Sequence, residues 1–236
     1  MVMGFFTENT EQEFTGVTNG DVKFGDLDGD GDQDLIISGS GNSSIPYTTL
    51  YWNDGVGGFT ADLVTSFQQL EGSLIDLADI DGDDDLDILI TGRDMFLEGH
   101  TIIYENDFPN QDFILIQDNP SVQLRSGETS FFDIDKDHDM DIMLLGETGS
   151  SLDFVVKLYL NDGDGNYEEQ SDFISMNPLT KSAFEVLDFD NDSDNDILVI
   201  GEEGSSNNVI KLFANDGNTN FSNVEEVSPF LGGLYN

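Results

Sequence analysis

Four stretches of this chain place an aspartate at every second position of a nine-residue segment. The first carries Asp26, Asp28, Asp30, Asp32 and Asp34, and the second Asp79, Asp81, Asp83, Asp85 and Asp87. The third carries Asp133, Asp135, Asp137, Asp139 and Asp141, and the fourth Asp188, Asp190, Asp192, Asp194 and Asp196. In an extended strand alternate side chains share one face, whereas in a tight loop they converge. Several carboxylates within a few ångströms of one another cannot all stay ionised without a cation. The chemistry this spacing suits is therefore the holding of a hard metal ion. Calcium takes about 6–8 oxygen ligands in flexible geometry, while magnesium demands octahedral geometry and keeps its waters. Zinc prefers His and Cys, and the four segments offer only His138. One such segment alone could be a solvated acidic turn. Four in one register, each running into an apolar strand, point to metal.

Two familiar calcium loops do not fit. An EF-hand needs a glutamate at position 12 between two helices, and here position 12 is Ile37, Ile90, Leu144 or Val199. The glycine-rich nonapeptide repeat has a period of nine, which the sequence lacks.

The segments belong to a longer repeat. Their starts are 53, 54 and 55 residues apart. An apolar run ending in glycine follows each one: Leu35 to Gly39, Ile88 to Gly92, Ile142 to Gly146 and Ile197 to Gly201. An aromatic residue two before an Asn-Asp pair comes next, at Tyr51, Tyr104, Tyr159 and Phe213. A last aromatic stands at Phe59, Phe113, Tyr167 and Phe221. Each unit reads as four short strands. Val22 to Phe24 enters the acidic loop, Leu35 to Ser38 leaves it, Thr48 to Trp52 follows, and a fourth strand starts at Phe59 after the turn signal Asn53-Asp54-Gly55. About 54 residues and four strands per unit is the arithmetic of a β-propeller blade. The expected fold is all-β: one propeller-like domain over 1–236, with four tandem blades of four antiparallel strands. The repeats run approximately 6–58, 59–112, 113–166 and 167–220, with an extra terminal strand at 221–236. Phe6 opens a further copy of the fourth strand, so the chain holds five copies of that strand and four of the others. Either the four blades close into a ring with one terminal strand left over, or the chain is a segment of a longer array, which the surplus favours. A dimer completing an eight-blade ring, with self-association through the terminal strands, is a further arrangement.

The composition agrees with bound cations. Forty-nine acidic residues face seven basic ones, for a net charge of −42. Self-repulsion of that size opposes a compact state. The same balance excludes nucleic acid as a partner, because phosphate contacts need a basic patch. No disulfide framework is available without cysteine, and no apolar run reaches membrane-spanning length, so no membrane insertion is expected. Met1 to Phe6 lacks the basic and apolar regions of a signal peptide. An exported parent protein would carry its signal elsewhere.

The loop D-x-D-x-D-x-x-x-D, followed by an apolar strand and then an NDG turn, resembles the FG-GAP/VCBS repeat of integrin α subunits and bacterial surface proteins. The resemblance spans about residues 5 to 230. It implies a calcium-binding propeller in which the loop joins the first two strands of each blade. It also implies ligands: side chains at positions 1, 3, 5 and 9, and the carbonyl at position 7. In this chain those are Asp26, Asp28, Asp30 and Asp34 with the Asp32 carbonyl; Asp79, Asp81, Asp83 and Asp87 with the Asp85 carbonyl; Asp133, Asp135, Asp137 and Asp141 with the Asp139 carbonyl; and Asp188, Asp190, Asp192 and Asp196 with the Asp194 carbonyl. About four Ca2+ ions, one per repeat, would leave a net charge of about −34. The FG dipeptide survives only as Phe24-Gly25. Position 6 is glycine in the first loop but Asp84, His138 and Ser193 in the others, which predicts strain in the later loops.

No catalytic site is expected. The two histidines, His100 and His138, have no nucleophile beside them, and phosphate-loop, GxSxG and HExxH signatures are absent. The expected role is a calcium-stabilised module of a cell-surface or secreted protein, acting in adhesion or in binding an extracellular protein or glycan, with calcium structural. The alternatives are a lectin-like module using Trp52, a passive spacer, or an accessory domain of a secreted enzyme. At the position of Trp52 the other repeats carry Glu105, Leu160 and Ala214, so the repeat itself does not require an aromatic there.

Overall fold

The computed structural model describes residues 12–107, 110, 112–118, 124–148, 153–170, 173–174, 176–177, 179–204 and 207–224. The strand expected from Phe6, and the end of the terminal strand beyond 224, lie outside the described residues.

Among the described residues, sixteen strands fall into four antiparallel sheets of four. The first sheet holds β1 (Thr18–Gly25), β2 (Asp34–Ser40), β3 (Pro46–Asn53) and β4 (Phe59–Ala61), in that order. The second holds β5 (Glu71–Ala78), β6 (Asp87–Arg93), β7 (Gly99–Asp107) and β8 (Asp112–Asp118). The third holds β9 (Leu124–Phe132), β10 (Asp141–Thr148), β11 (Asp153–Asn161) and β12 (Tyr167–Glu169). The fourth holds β13 (Leu179–Leu187), β14 (Asp196–Glu203), β15 (Asn207–Asn215) and β16 (Phe221–Asn223). Each acidic loop joins the first two strands of a sheet, and each Asn-Asp turn joins the last two. The sheets are offset by one strand from repeats counted between the last aromatics. Phe59 pairs with Asn53 of β3 and so closes the first sheet, as Phe221 closes the fourth by pairing with Asn215.

The second strands are unbroken apolar runs because they are covered on both faces. Ile36 packs toward the second sheet, while Leu35 and Ile37 face the other way. Three cores result, each between successive sheets. Leu27, Ile36 and Leu50 meet Ile75, Ile88 and Tyr104. Ile80, Leu89 and Ile103 meet Phe131, Ile142 and Leu144. Ile134, Met143 and Leu158 meet Phe184, Ile197 and Phe213. Connecting segments complete these cores. Phe67 sets its ring edge-on to Tyr104 at 5.1 Å, and Phe173 does the same to Phe221 at 4.8 Å. Phe14 repeats the contact on the first sheet, at 5.2 Å from Tyr51.

The glycines that end the second and fourth apolar runs have a packing reason. A side chain at Gly92 would come within 3.1 Å of Leu70, and one at Gly201 within 3.1 Å of Leu179. Both leucines lead from a connecting segment into a first strand and cross directly over the glycine.

Packing between sheets runs in series: β1 lies beside β5, β5 beside β9, and β9 beside β13. Among the described residues no comparable packing joins β13 back to β1. Among the described residues the architecture is a propeller-like segment that does not close on itself.

Candidate metal centres

Each acidic loop is drawn tight by its own backbone. Positions 4 and 6 adopt positive φ in all four copies: Gly29 and Gly31, Gly82 and Asp84, Lys136 and His138, Asn191 and Ser193. These two left-handed residues turn successive N–H groups inward, toward the aspartate at position 1. Asp79 accepts from Gly82 N at 2.7 Å and from Asp84 N at 3.0 Å. Asp133 accepts from Lys136 N and His138 N, and Asp188 from Asn191 N and Ser193 N, in the same way. Strain at position 6 was foreseeable from residue type. The second left-handed residue, at position 4, was not, although Gly29 and Gly82 hinted at it. A left-handed non-glycine residue costs roughly 1–2 kcal/mol, so the third loop, with Lys136 and His138, bears the most strain and the first the least.

Position 9 is the anchor. Asp34, Asp87, Asp141 and Asp196 are between 0% and 1% exposed. Each accepts two backbone N–H groups. Asp87 takes Ile80 N on Oδ2 and Asn106 N on Oδ1, both at 2.8 Å. Asp34 takes Leu27 N and Asn53 N, Asp141 takes Ile134 N and Asn161 N, and Asp196 takes Phe189 N and Asn215 N. One carboxylate thus ties the start of the loop to the turn between the third and fourth strands.

The folded loops bring positions 1, 3 and 9 together. Asp26, Asp28 and Asp34 offer carboxylate oxygens within 4.8 Å of one another. So do Asp79, Asp81 and Asp87, then Asp133, Asp135 and Asp141, and Asp188, Asp190 and Asp196. Position 5 stands outside these triads. Asp30, Asp83, Asp137 and Asp192 each accept the N–H of the position-7 residue, at 2.9 to 3.1 Å. The position-7 side chains lean against the turn instead: Asp32 against Gly55, Asp139 against Gly163 and Asp194 against Gly217, each close enough to exclude a Cβ. That contact explains the glycine of the Asn-Asp-Gly turns.

The electrostatics favour a cation. Burial pushes the carboxyls of Asp87 and Asp141 up to about 7, even though each accepts two backbone N–H groups that pull the other way. Asp34 is raised by burial as well. Asp28, Asp81 and Asp135 are raised first by burial and then by neighbouring loop carboxylates. Asp26 Oδ1 and Asp81 Oδ1 are buried with no hydrogen-bond donor. Clustered, buried, acceptor-only oxygens whose ionised form is disfavoured are what a hard divalent cation relieves. The donor set fits calcium.

A model of the FG-GAP-like repeat family matches residues 26–90 and 133–199, more than half of the chain. The chain belongs to the FG-GAP-like repeat family. A search of curated proteins finds no match to it. The two matched FG-GAP-like regions each begin at the first aspartate of an acidic loop, at Asp26 and Asp133, and each extends through the loop of the following sheet.

Three struts between successive sites escaped the sequence reading. The asparagine of each Asn-Asp pair looked like a turn signal only. Asn106 Nδ2 donates to the Leu27 carbonyl of the preceding sheet's loop at 2.9 Å, and to Leu86 O of its own loop. Asn161 reaches Ile80 O at 2.7 Å, and Asn215 reaches Ile134 O at 3.2 Å. The recurrence of asparagine at 53, 106, 161 and 215 was the available signal.

The remaining candidates are placed away from these centres. Trp52 packs against the first inter-sheet core. His100 lies 3.6 Å from Asp94 at the opposite end of its sheet, and His138 is exposed on the third loop, 3.7 Å from Asp133. Among the described residues, no helix is long and apolar enough to cross a membrane.

Proposed function

We propose that this chain is a calcium-stabilised repeat module of a cell-surface or secreted protein, working in adhesion or ligand binding, with calcium as part of the scaffold. The observation that carries the reading is the fourfold convergence of carboxylates from positions 1, 3 and 9 on one point in each loop. Asp26, Asp28 and Asp34, with their counterparts, form the core of each site. The position-5 carboxylates and position-7 carbonyls complete it. Bound calcium removes the mutual repulsion of the triad and fixes the loop between two strands. Binding to the native state alone stabilises by roughly 2.7 kcal/mol per site at a hundredfold excess over the dissociation constant. Four sites then supply an amount comparable to a domain's whole stability.

The module is read as non-catalytic. Its partner is an extracellular protein or glycan, recognised on loops that the repeats display. Trp52 packs, partly buried, against the first inter-sheet core, which weighs against its use as a sugar-stacking platform. Isothermal titration calorimetry tests the calcium reading, with four ions per chain expected. Thermal melts with and without chelator at fixed ionic strength test its structural role. A midpoint that chelation leaves unchanged would refute that role. Retention of a protein or glycan ligand by the isolated chain separates a binding module from a spacer.

A further inference from the structure

Successive acidic loops face each other across a cleft, and the third and fourth loops bridge theirs with two side chains. Lys136, at position 4 of the third loop, sets its Nζ 2.8 Å from Oδ1 of Asp194, at position 7 of the fourth. Asn195, at position 8 of the fourth loop, donates through Nδ2 to the Asp133 carbonyl at 2.6 Å. Between the second and third loops the same two places are held by residues that can do neither. Gly82 replaces the lysine, in the same left-handed conformation (φ 78° against 65°). Met140 replaces the asparagine and has no N–H or O–H to donate. A Cβ built on Gly82 meets nothing within 4 Å. A cavity of about 610 Å³ opens there, with Asp79 and Gly82 on one side, His138 and Asp139 on the other, and Phe131 and Met140 among its apolar walls.

The acceptor is nevertheless in place. Asp139 and Asp194 hold the same pose, each with Oδ2 against its turn glycine. That oxygen lies 2.7 Å from where a Cβ on Gly163 would stand in one case, and 2.6 Å from one on Gly217 in the other. In the fourth loop this pose leaves Oδ1 to take the ammonium of Lys136. Lys23, Arg93, Lys157, Lys181 and Lys211 pair with other acids, and His138 faces Asp133. None of them fills the place at Asp139 that Lys136 fills at Asp194.

From this we infer that the cleft between the second and third loops receives a lysine side chain of a protein partner, its ammonium on Asp139 as that of Lys136 is on Asp194. The inference deepens the binding-module reading proposed above and rests on it. Lysine fits better than arginine, because one available oxygen suits a compact point charge, whereas a guanidinium fork wants both. Phe131 and Met140 give the methylene stem an apolar surface to lie on. In the first cleft Gly29 also stands at position 4, but Leu77 and Leu86 crowd in, 2.8 and 2.9 Å from where a Cβ on Gly25 would stand.

Titration of the full chain with acetyl-Gly-Lys-Gly-amide, in excess calcium and about 0.15 M NaCl, tests this. Calorimetry and the NMR shift of the Gly82 amide are the readouts. The expected result is a single peptide per chain, a dissociation constant of about 1 mM and movement of the Gly82 amide. Counterparts with norleucine or arginine in place of lysine should bind more weakly, and so should n-pentylamine, which has the ammonium without the peptide. Asp139→Asn should weaken the lysine peptide about tenfold, and Gly82→Lys, which copies Lys136, should abolish its binding. Asp194→Asn removes the same charge from the cleft that has its own lysine and should leave binding unchanged. Equal loss in the two asparagine variants overturns the inference, because general attraction to a chain of net charge −42 would then suffice. Equal binding of the norleucine peptide overturns it too, as does no binding of the lysine peptide at about 20 mM. Tighter binding of n-pentylamine than of the peptide overturns the protein source in favour of a free amine. Gly82 and the side chains of Asp139 and Asp194 lie outside the carboxylate triads, so calcium stoichiometry on the same samples reports separately on the metal sites.

Discussion

Removing calcium should reverse how the stability of this protein responds to pH. The perturbation is a rise from about pH 5 to about pH 8 in calcium-stripped protein. Asp87 and Asp141 carry the effect, because burial lifts both carboxyls from an ordinary 3.8 to about 7. A folded-state value above the unfolded one gives stability that is complete below about 3.8 and is lost as pH climbs through about 7. Integrating one such group between pH 5 and 8 gives a loss of roughly 2.6 kcal/mol. Water reaching the rim of the loop reduces that by about half, leaving about 2–3 kcal/mol for the two groups together. General repulsion among the acidic residues acts in the same direction but is screened by salt. The desolvation of Asp87 and Asp141 is not, so the fall should persist at about 1 M NaCl. Calcium inverts the slope, because its ligands bind only when deprotonated. The assay is urea denaturation at both pH values, with calcium stripped or in excess. Stripped protein whose stability is flat or rises from pH 5 to pH 8 at high salt would refute the reasoning.

Five substitutions probe the loops and struts. His138→Gly relieves a left-handed residue (φ 80°) whose side chain is exposed; a net gain of about 1 kcal/mol, after glycine's extra unfolded-state freedom, should raise Tm by about 2–4 °C, and a lower Tm would contradict the strain assigned to the third loop. Asn161→Ala breaks the strut to the Ile80 carbonyl and should cost about 1–3 kcal/mol in urea midpoint. Asn53→Ala, with no preceding loop to reach among the described residues, should cost less, and equal losses would remove the inter-sheet role. Gly55→Ala puts a Cβ 2.1 Å from Asp32 Oδ2 at a φ of 68°, so it should destabilise by at least about 1 kcal/mol, and Asp32→Ala in the same chain should recover part of the loss.

Much of this was legible from spacing. The acidic positions, the second strands and the Asn-Asp turns recur at a fixed step, and each maps onto one structural part. The connecting segments were harder to read. Phe14 to Val17 and Phe67 to Leu70 span the same interval, but Phe173 to Leu179 is longer, so their shared role inside the inter-sheet cores is hidden in one dimension. Which sheet owns the strand at Phe59 depends on a through-space partner, Asn53, and no periodicity names it. Within the site, five aspartates per loop look alike in sequence. Backbone turns at positions 4 and 6 decide that 1, 3 and 9 converge, that 5 caps an N–H and that 7 leans on the turn. Those roles follow from φ values that Lys136 and Asn191 do not announce.

The four sites are not independent, because the groups that hold one also touch the next. Asp87 binds the N–H of Asn106, and the Asn106 side chain ends on the Leu27 carbonyl, between Asp26 and Asp28 of the first triad. Asp141, Asn161 and Ile80 O repeat the connection between the second and third sites, and Asp196, Asn215 and Ile134 O between the third and fourth. A cation that fixes one position-9 aspartate therefore steadies a hydrogen bond whose far end lies in the preceding loop. In a linear array, stability is a sum of unit and nearest-neighbour terms, and under the proposed calcium reading this link would place the ion in both. Its strength is bounded by the bond that transmits it, roughly 0.5–1.5 kcal/mol, which allows at most about a tenfold gain in affinity between neighbours. Calcium titration by calorimetry should then show mild positive cooperativity that Asn106→Ala and Asn161→Ala weaken. Steep all-or-none loading would demand a stronger coupling than one hydrogen bond supplies, and independent loading, unchanged by those substitutions, would show that the strut carries no signal between sites.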